Sequence, residues 1–181
     1  MKVWYYPPMT KMNYTLVIFD IDGTLTELLP KVLAANPKQP SPNRLGEQQP
    51  KLGVVDKLAA LNAAGIKLAL ATNRGGVAWG YNTLAEAQAI AREAAELCGI
   101  PKVPIYLCPH HPKARGPHAR REFAIECHCR KPQPGMLVQA MGAAGVTPAE
   151  TLFVGDMDSD QQAASSAGVA FAWADQFFAV S

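Results

Sequence analysis

This chain is short of charge, of aromatic side chains and of long apolar runs. Charged residues fill 18% of its 181 positions and aromatic residues 8%. The formal net charge of +2 at pH 7 is too close to balance to argue for a nucleic-acid or membrane-surface partner by itself. No stretch approaches the roughly 20 apolar residues that cross a bilayer. The opening, Met1 to Met12, mixes Lys, Trp, Tyr and Pro without the apolar run of a signal peptide. The expected location is therefore the cytoplasm, with no membrane partner. Cysteine is scarce too, with four in all, and in a reducing compartment these serve as free thiols or metal ligands more readily than as disulfides. Against these shortages stands a hydrophobic content of 49%, which argues for a globular chain, and the length suits one domain spanning 1–181.

The chain is organised around Leu16 to Leu25, which reads Leu-Val-Ile-Phe-Asp-Ile-Asp-Gly-Thr-Leu. Four large apolar residues in a row suit a strand buried on both faces of a parallel sheet. Asp20 then stands at the carboxyl end of that strand, where open α/β sheets bind their ligands. Asp22 falls two residues on, on the same side if the chain stays extended, and Gly23 permits a sharp turn. Two crowded carboxylates call for a divalent cation, a retained proton, or both. The plainer alternative is a strand followed by an ordinary Asp-Gly turn.

Residues 25–51 carry five prolines and little apolar periodicity, so they read as a long proline-rich loop, either a flap over the aspartates or a surface excursion. Val54, Val55, Leu58 and Leu61 then repeat at helical spacing up to a stop at Gly65, and Ile66 to Ala71 makes a second buried strand. A right-handed crossover places Thr72 and Asn73 at the same sheet edge as Asp20. Arg74-Gly75-Gly76 adds a cation and a backbone able to approach an oxyanion. Thr83 and Glu86 form a capping box for an alanine-rich helix reaching about Cys98, a thiol read as buried and structural. Val103 to Leu107 is a third strand.

Periodicity then gives way to Cys108-Pro-His110 and Cys127-His-Cys129. Two close pairs of soft ligands separated by a loop match a tetrahedral Cys3His zinc site without an open position, which is a structural role. Spacing leaves His111, His118 and His128 as competing ligands and a disulfide as the alternative. The intervening Lys113, Arg115, Arg120 and Arg121 make either a basic surface fixed by the metal or a solvated loop. Arg130 and Lys131 precede a helix predicted from Pro134 to Ala144, whose first turn would add to a phosphate cradle. Thr151 to Val154 is a fourth strand, ending in Gly155-Asp156-Met-Asp158-Ser-Asp160, and a helix to Gly168 leads into a fifth strand, Val169 to Trp173.

Asp20-x-Asp22-Gly-Thr, Thr72-Asn73, Lys131 and Gly155-Asp156-x-x-x-Asp160 stand in the order and strand-end positions of the haloacid dehalogenase (HAD) superfamily, which the chain resembles from about Leu16 to Trp173. The cysteine pairs and Arg130-Lys131-Pro132 resemble its zinc-containing branch, which includes D-glycero-D-manno-heptose 1,7-bisphosphate phosphatase and the histidinol-phosphate phosphatase domain. Ile21, Arg74 and Trp79 depart from that branch, where Arg, Gln and Arg are usual. The resemblance implies an α/β HAD-like, Rossmann-like parallel sheet flanked by helices, without a large cap domain and with a zinc-binding loop at 108–129.

It also implies roles. Asp20 is the nucleophile that becomes an aspartyl-phosphate, and Asp22 the general acid and base. Mg2+ is held by Asp20, Asp156 and the main-chain carbonyl of Asp22, and Zn2+ by Cys108, His110, Cys127 and Cys129. Thr72, Asn73, Arg74, Arg130 and Lys131 bind substrate, and Asp160 orients Lys131 or metal-bound water. Asp158 receives no role. The expected activity is Mg2+-dependent hydrolysis of a small phosphorylated sugar or alcohol. The alternatives are a polynucleotide 3′-phosphatase, for which nucleic acid would be the partner, and a non-catalytic zinc-stabilised binding module.

Overall fold

Leu16–Phe19 forms β1 of the computed structural model, which describes residues 14–179. The Met1 to Met12 stretch, read above as lacking a signal peptide, lies outside the described residues. Among the described residues no helix is long and apolar enough to cross a membrane. All four β1 side chains are buried, and they alternate: Val17 and Phe19 enter one core, Leu16 and Ile18 the other. That two-sided burial is why the strand reads as a continuous apolar run.

The remaining strands of the main sheet are Lys67–Asn73, Ile105–Cys108, Thr151–Gly155 and Ala170–Trp173. Numbering in chain order, with a short hairpin of β2 (Thr26–Leu28) and β3 (Gln48–Pro50) ahead of them, makes these β4, β5, β6 and β7. The sheet order is β5-β4-β1-β6-β7 and every pairing is parallel. The chain therefore runs outward from β1 on one side and returns to its other side, which puts a topological switch point at the carboxyl end of β1. Helices α2 (Val54–Ala63) and α4 (Leu84–Leu97) contribute Leu58, Leu61, Ala91 and Ala94 to the core shared with Phe19. On the opposite face α5 (Gly135–Ala144) and α6 (Asp158–Ala167) contribute Leu137, Met141, Ala163 and Ala164 to the core shared with Ile18. The Thr83 and Glu86 capping box is present, and Cys98 is buried, its thiol pushed up to about 12 by that burial.

Several expectations need correction. The 25–51 segment is not one loop: it holds the antiparallel β2–β3 hairpin and a short helix, α1 (Pro30–Ala35). These are fastened by polar contacts. Buried Gln48 accepts from the Thr26 hydroxyl at 3.1 Å and donates to Ile90 O and Glu93 on α4, so no apolar period advertises them. Gly76–Trp79 forms a short helix, α3, directly after the Arg74-Gly75 backbone that the sequence reading left without an element. The strand expected at 103–107 runs instead from Ile105 to Cys108, which carries the first cysteine onto β5.

Candidate active site

The carboxyl ends of β1, β4 and β6 open into a cleft of about 780 Å³. Asp20, Asp22, Asn73, Arg130, Lys131, Asp156 and Asp160 all line it. Part of the 25–51 segment closes one side: Asn36, Lys38, Gln39, Ser41 and Asn43 face the same space, so this stretch is a flap over the aspartates and not a remote excursion. A second hollow of about 700 Å³ at the opposite end of the sheet, between Leu16, Ile100, Val103 and Tyr106, has no carboxylate in its lining.

Lys131 is the hub. Its ammonium lies 2.5 Å from Asp20 Oδ1, 2.7 Å from Asp160 Oδ1 and 3.0 Å from Ala71 O, and the residue is 5% exposed. Burial works against the charge, but the two carboxylates outweigh it and hold the ammonium above its ordinary range. Asp160 is anchored in turn, because its Oδ2 accepts from the amides of Asp156 and Met157. Asp160 is thereby held against Lys131 while remaining near Asp20 and Asp156.

Asp20, Asp156 and Asp160 each bring a carboxylate oxygen within 4.8 Å of the others. Burial drives Asp20 up to about 7, with help from the Asp160 and Asp22 carboxylates and against the pull of Lys131. Burial also raises Asp156, against the Thr24 hydroxyl that donates to its Oδ1 at 3.0 Å. Carboxylates clustered this closely could hold a hard divalent cation. Gly23 is shaped to this need. Its φ is +84°, and a Cβ there would sit 2.2 Å from Asp156 Oδ2. Gly23→Ala should therefore push Asp156 aside and weaken Mg2+ binding about 10- to 100-fold. Calorimetric titration of the folded variant with Mg2+ checks this, and an unchanged affinity would refute it.

Asp22 turns toward Arg74, whose Nη2 lies 3.1 Å from its Oδ1. Burial raises Asp22, opposed first by Arg74 and then by Lys131. Three residues expected at the substrate behave differently. Arg74 is 3% exposed and does not line the cleft, because its guanidinium is drawn to Asp22. The Asn73 side-chain amide is engaged by the main chain of Lys131, accepting from its N–H at 3.0 Å and donating to its carbonyl at 3.1 Å. Asn73 is thereby a clamp on Lys131. Thr72 is fully buried and does not line the cleft, and its hydroxyl lies close enough to Asp22 to pull that carboxyl down against burial. The expected phosphate cradle at the start of α5 is also absent from the cleft, since the Gly135 amide is taken by His128 O at 2.9 Å. Sequence reasoning quoted Thr24 within the Asp20-x-Asp22-Gly-Thr motif without giving it a role, and it missed Lys51, whose ammonium holds Gly23 O at 2.7 Å, and the cleft-lining Tyr81 and flap residues. Lone polar residues in turns and loops gave no signal.

The second cluster joins Cys108, His110, Cys127 and Cys129, whose ligand atoms lie within 4.8 Å of one another. His110 Nδ1 is 3.4 Å from Cys129 Sγ, and the three sulfurs are 3.0 to 3.6 Å apart. All four cysteines of the chain are free thiols, so the disulfide alternative fails. His111 faces the cleft instead and packs on Trp79, with ring centroids 5.5 Å apart. His118 lies against Gly80, where a Cβ would come within 1.9 Å of its carbonyl oxygen, and His128 caps Gly135. Three sulfurs and one imidazole converging this closely suit a soft, tetrahedral ion. The cluster reaches the cleft through Arg130, whose amide donates to Cys127 Sγ and whose Nη1 donates to His110 O at 3.0 Å. Lys113, Arg115, Arg120 and Arg121 do not line the cleft.

Similarity to known proteins agrees with this geometry. A family model for HAD-hydrolase-like proteins matches residues 128–175. D-glycero-beta-D-manno-heptose-1,7-bisphosphate 7-phosphatase of Haemophilus influenzae is 35% identical over 127 residues, which is 65% of this chain and 62% of that protein. The enzyme of the same name from Escherichia coli is 37% identical over 125 residues, covering 65% and 61%. The chain thus spans less than two thirds of the length of these relatives. Among solved structures, D,D-heptose 1,7-bisphosphate phosphatase of B. bronchiseptica, complexed with magnesium and phosphate, superposes with a TM-score of 0.67 and 29% identity over 87% of this chain and 78% of that one. A structure described as HAD-like from Mesorhizobium loti gives 0.68 and 28%, over 94% and 74%. In its parallel five-stranded sheet and its carboxylates at the strand ends, the chain is similar to HAD-like hydrolases, and among them to the heptose bisphosphate phosphatases.

Proposed function

We propose that this protein hydrolyses a phosphomonoester in a Mg2+-dependent reaction through an aspartyl-phosphate on Asp20, with a small phosphorylated sugar or alcohol as substrate. The observation that carries this reading is Lys131 seated between Asp20 and Asp160 beside Asp156, inside a cleft at the sheet's switch point. Asp20, Asp156 and the main-chain carbonyl of Asp22 would hold Mg2+, which supplies charge to screen the nucleophile from the phosphoryl oxygens.

The protein's own groups do the rest. The Asp20 carboxylate attacks phosphorus and displaces the alkoxide, while Asp22 gives its proton to the departing oxygen. Burial raises the Asp22 carboxyl above its ordinary range, against Arg74 and Lys131. Asp22 then removes a proton from water, the water oxygen attacks phosphorus, and phosphate leaves with Asp20 restored. Lys131 stabilises the charge gathering on the phosphoryl oxygens. Arg130 offers a further cation at the cleft wall. Cys108, His110, Cys127 and Cys129 would hold Zn2+ in a structural role. We place the reaction in the cytoplasm, since an oxidising compartment would pair these thiols.

A cleft narrowed by the 36–43 flap favours a small ester over a polynucleotide end. Phosphate release should be measured side by side on sugar phosphates, histidinol phosphate and a 3′-phosphorylated oligonucleotide. Release from the oligonucleotide alone would replace the proposed substrate class, and release from none would end the phosphatase reading. Asp22→Asn adds a sharper check. It should lower kcat about 10²–10⁴-fold on an alkyl phosphate, which needs the proton, and far less on p-nitrophenyl phosphate. Equal losses on both would argue against Asp22 as the acid.

A further inference from the structure

Arg74 is buried against the acid/base group and belongs to neither the cleft wall nor the core. Its backbone is pinned on both sides: its amide donates to Cys108 O at 2.7 Å, and its carbonyl accepts from Val77 at the start of α3, at 3.1 Å. The guanidinium reaches in two directions. Nη2 lies 3.1 Å from Asp22 Oδ1, and Nη1 reaches the carbonyl of Pro42, a buried flap residue, at 3.5 Å. Pro42 sits between Ser41 and Asn43, which both face the cleft. The Asp22 contact is an ion pair without hydrogen-bond geometry, Asp22 Oδ1 and Arg74 Nη2 having no hydrogen-bond partner among the described residues, and a planar guanidinium can face both acceptors at once, which neither an ammonium nor an amide can do in the same way. Asp22 has Lys131 as a second cationic neighbour, but Lys131 is committed to Asp20, Asp160 and Ala71 O.

We infer that Arg74 is a positioning residue that aims the Asp22 carboxyl at the leaving group and ties it to the flap through Pro42, so that flap seating and acid/base alignment are one event. The inference rests on the phosphatase reading for its catalytic half and on geometry alone for its flap half. A buried guanidinium facing a carboxylate favours one orientation of it, since rotation away gives up the attraction to a cation that cannot follow. It also places a fixed cation where substrate cannot reach it, so its loss should act on turnover and not on ground-state binding.

The test compares the wild type with Arg74→Gln, Arg74→Lys, Asp22→Asn and the Asp22→Asn/Arg74→Gln double variant, each checked for folding by thermal melting. On an alkyl phosphate, Arg74→Gln should lower kcat about 10- to 100-fold with KM within about threefold, and should lower it less than threefold on p-nitrophenyl phosphate. Arg74→Lys, which keeps the charge without the fork, should recover part of the loss. In the Asp22→Asn background Arg74→Gln should cost nothing further on the alkyl phosphate, because two residues acting through one group are not additive. Equal losses on both esters, a rise in KM alone, or full additivity would overturn the catalytic half. Hydrogen exchange over residues 36–43 supplies an arm that needs no activity. Exchange there should quicken in Arg74→Gln while α4 is unchanged, and an unaltered flap would overturn the coupling. A wild type inactive on both esters would sink the phosphatase reading alone, leaving the exchange result to decide whether Arg74 holds the flap.

Discussion

Asp20→Asn should abolish Mg2+-dependent phosphate release, by about 10⁴-fold or more, while the protein stays folded. An amide of nearly the same shape cannot attack phosphorus, and it offers the cation a neutral oxygen in place of a charged one. The fold should survive because Lys131 keeps Asp160 at 2.7 Å and Ala71 O at 3.0 Å, so its charge is not stranded in the interior. Removal of Asp20, whose carboxylate burial drives up to about 7, also takes a carboxylate that is costly to ionise out of a crowded site. Thermal stability at neutral pH is thus expected to equal or exceed that of the wild type. The check is a steady-state assay with excess Mg2+ beside a melting curve of the same preparation. Turnover within severalfold of wild type would remove Asp20 as nucleophile, and an unfolded variant would contradict the proposed compensation by Asp160.

Loss of the ion at Cys108, His110, Cys127 and Cys129 should have the largest effect on stability. Structural zinc sites bind with about 10–16 kcal/mol of apparent free energy at neutral pH, comparable to the whole stability of a domain at about 5–15 kcal/mol. Even about 4 kcal/mol of that acting on this chain would lower Tm by about 8–16 °C. The site is far from isolated. The loop it closes is docked on the Gly75–Gly80 turn, where Cβ atoms would meet His111 at 2.9 Å and His118 O at 1.9 Å, and it holds Arg130 through Cys127 and His110. Lys131 has its own clamp in Asn73. Cys127→Ser or Cys129→Ser should accordingly lower Tm and raise KM through Arg130, with a smaller effect on kcat. Removing Mg2+ should stop turnover reversibly without this loss of Tm, since the two donor sets differ in hardness. Elemental analysis of protein purified without chelator should find close to one zinc per chain. No zinc, together with a quadruple replacement of the four ligands that melts and turns over like wild type, would reduce the cluster to a coincidence of spacing.

By itself the sequence determined which residues reach the functional edge. An apolar run closed by Asp20, the order of strand ends carrying Asn73 and Asp156, the Thr83 and Glu86 cap, and the two cysteine pairs are all local patterns. Local patterns survive folding because strand burial and helix capping act within a few residues. What a side chain does on arrival was decided only by the tertiary structure. Arg74 turned from the expected substrate to Asp22, Asn73 spent its amide on Lys131, and His110 joined the three cysteines while His111 faced the cleft. For Arg74 and Asn73 the outcome depends on a partner about 3 Å away in space and more than fifty residues away in the chain, beyond the reach of any periodicity. The β2–β3 hairpin and α1 escaped notice for a related reason: contacts such as Gln48 to Glu93 hold the hairpin through hydrogen bonds, while α1 buries none of its residues, so no apolar repeat marks either.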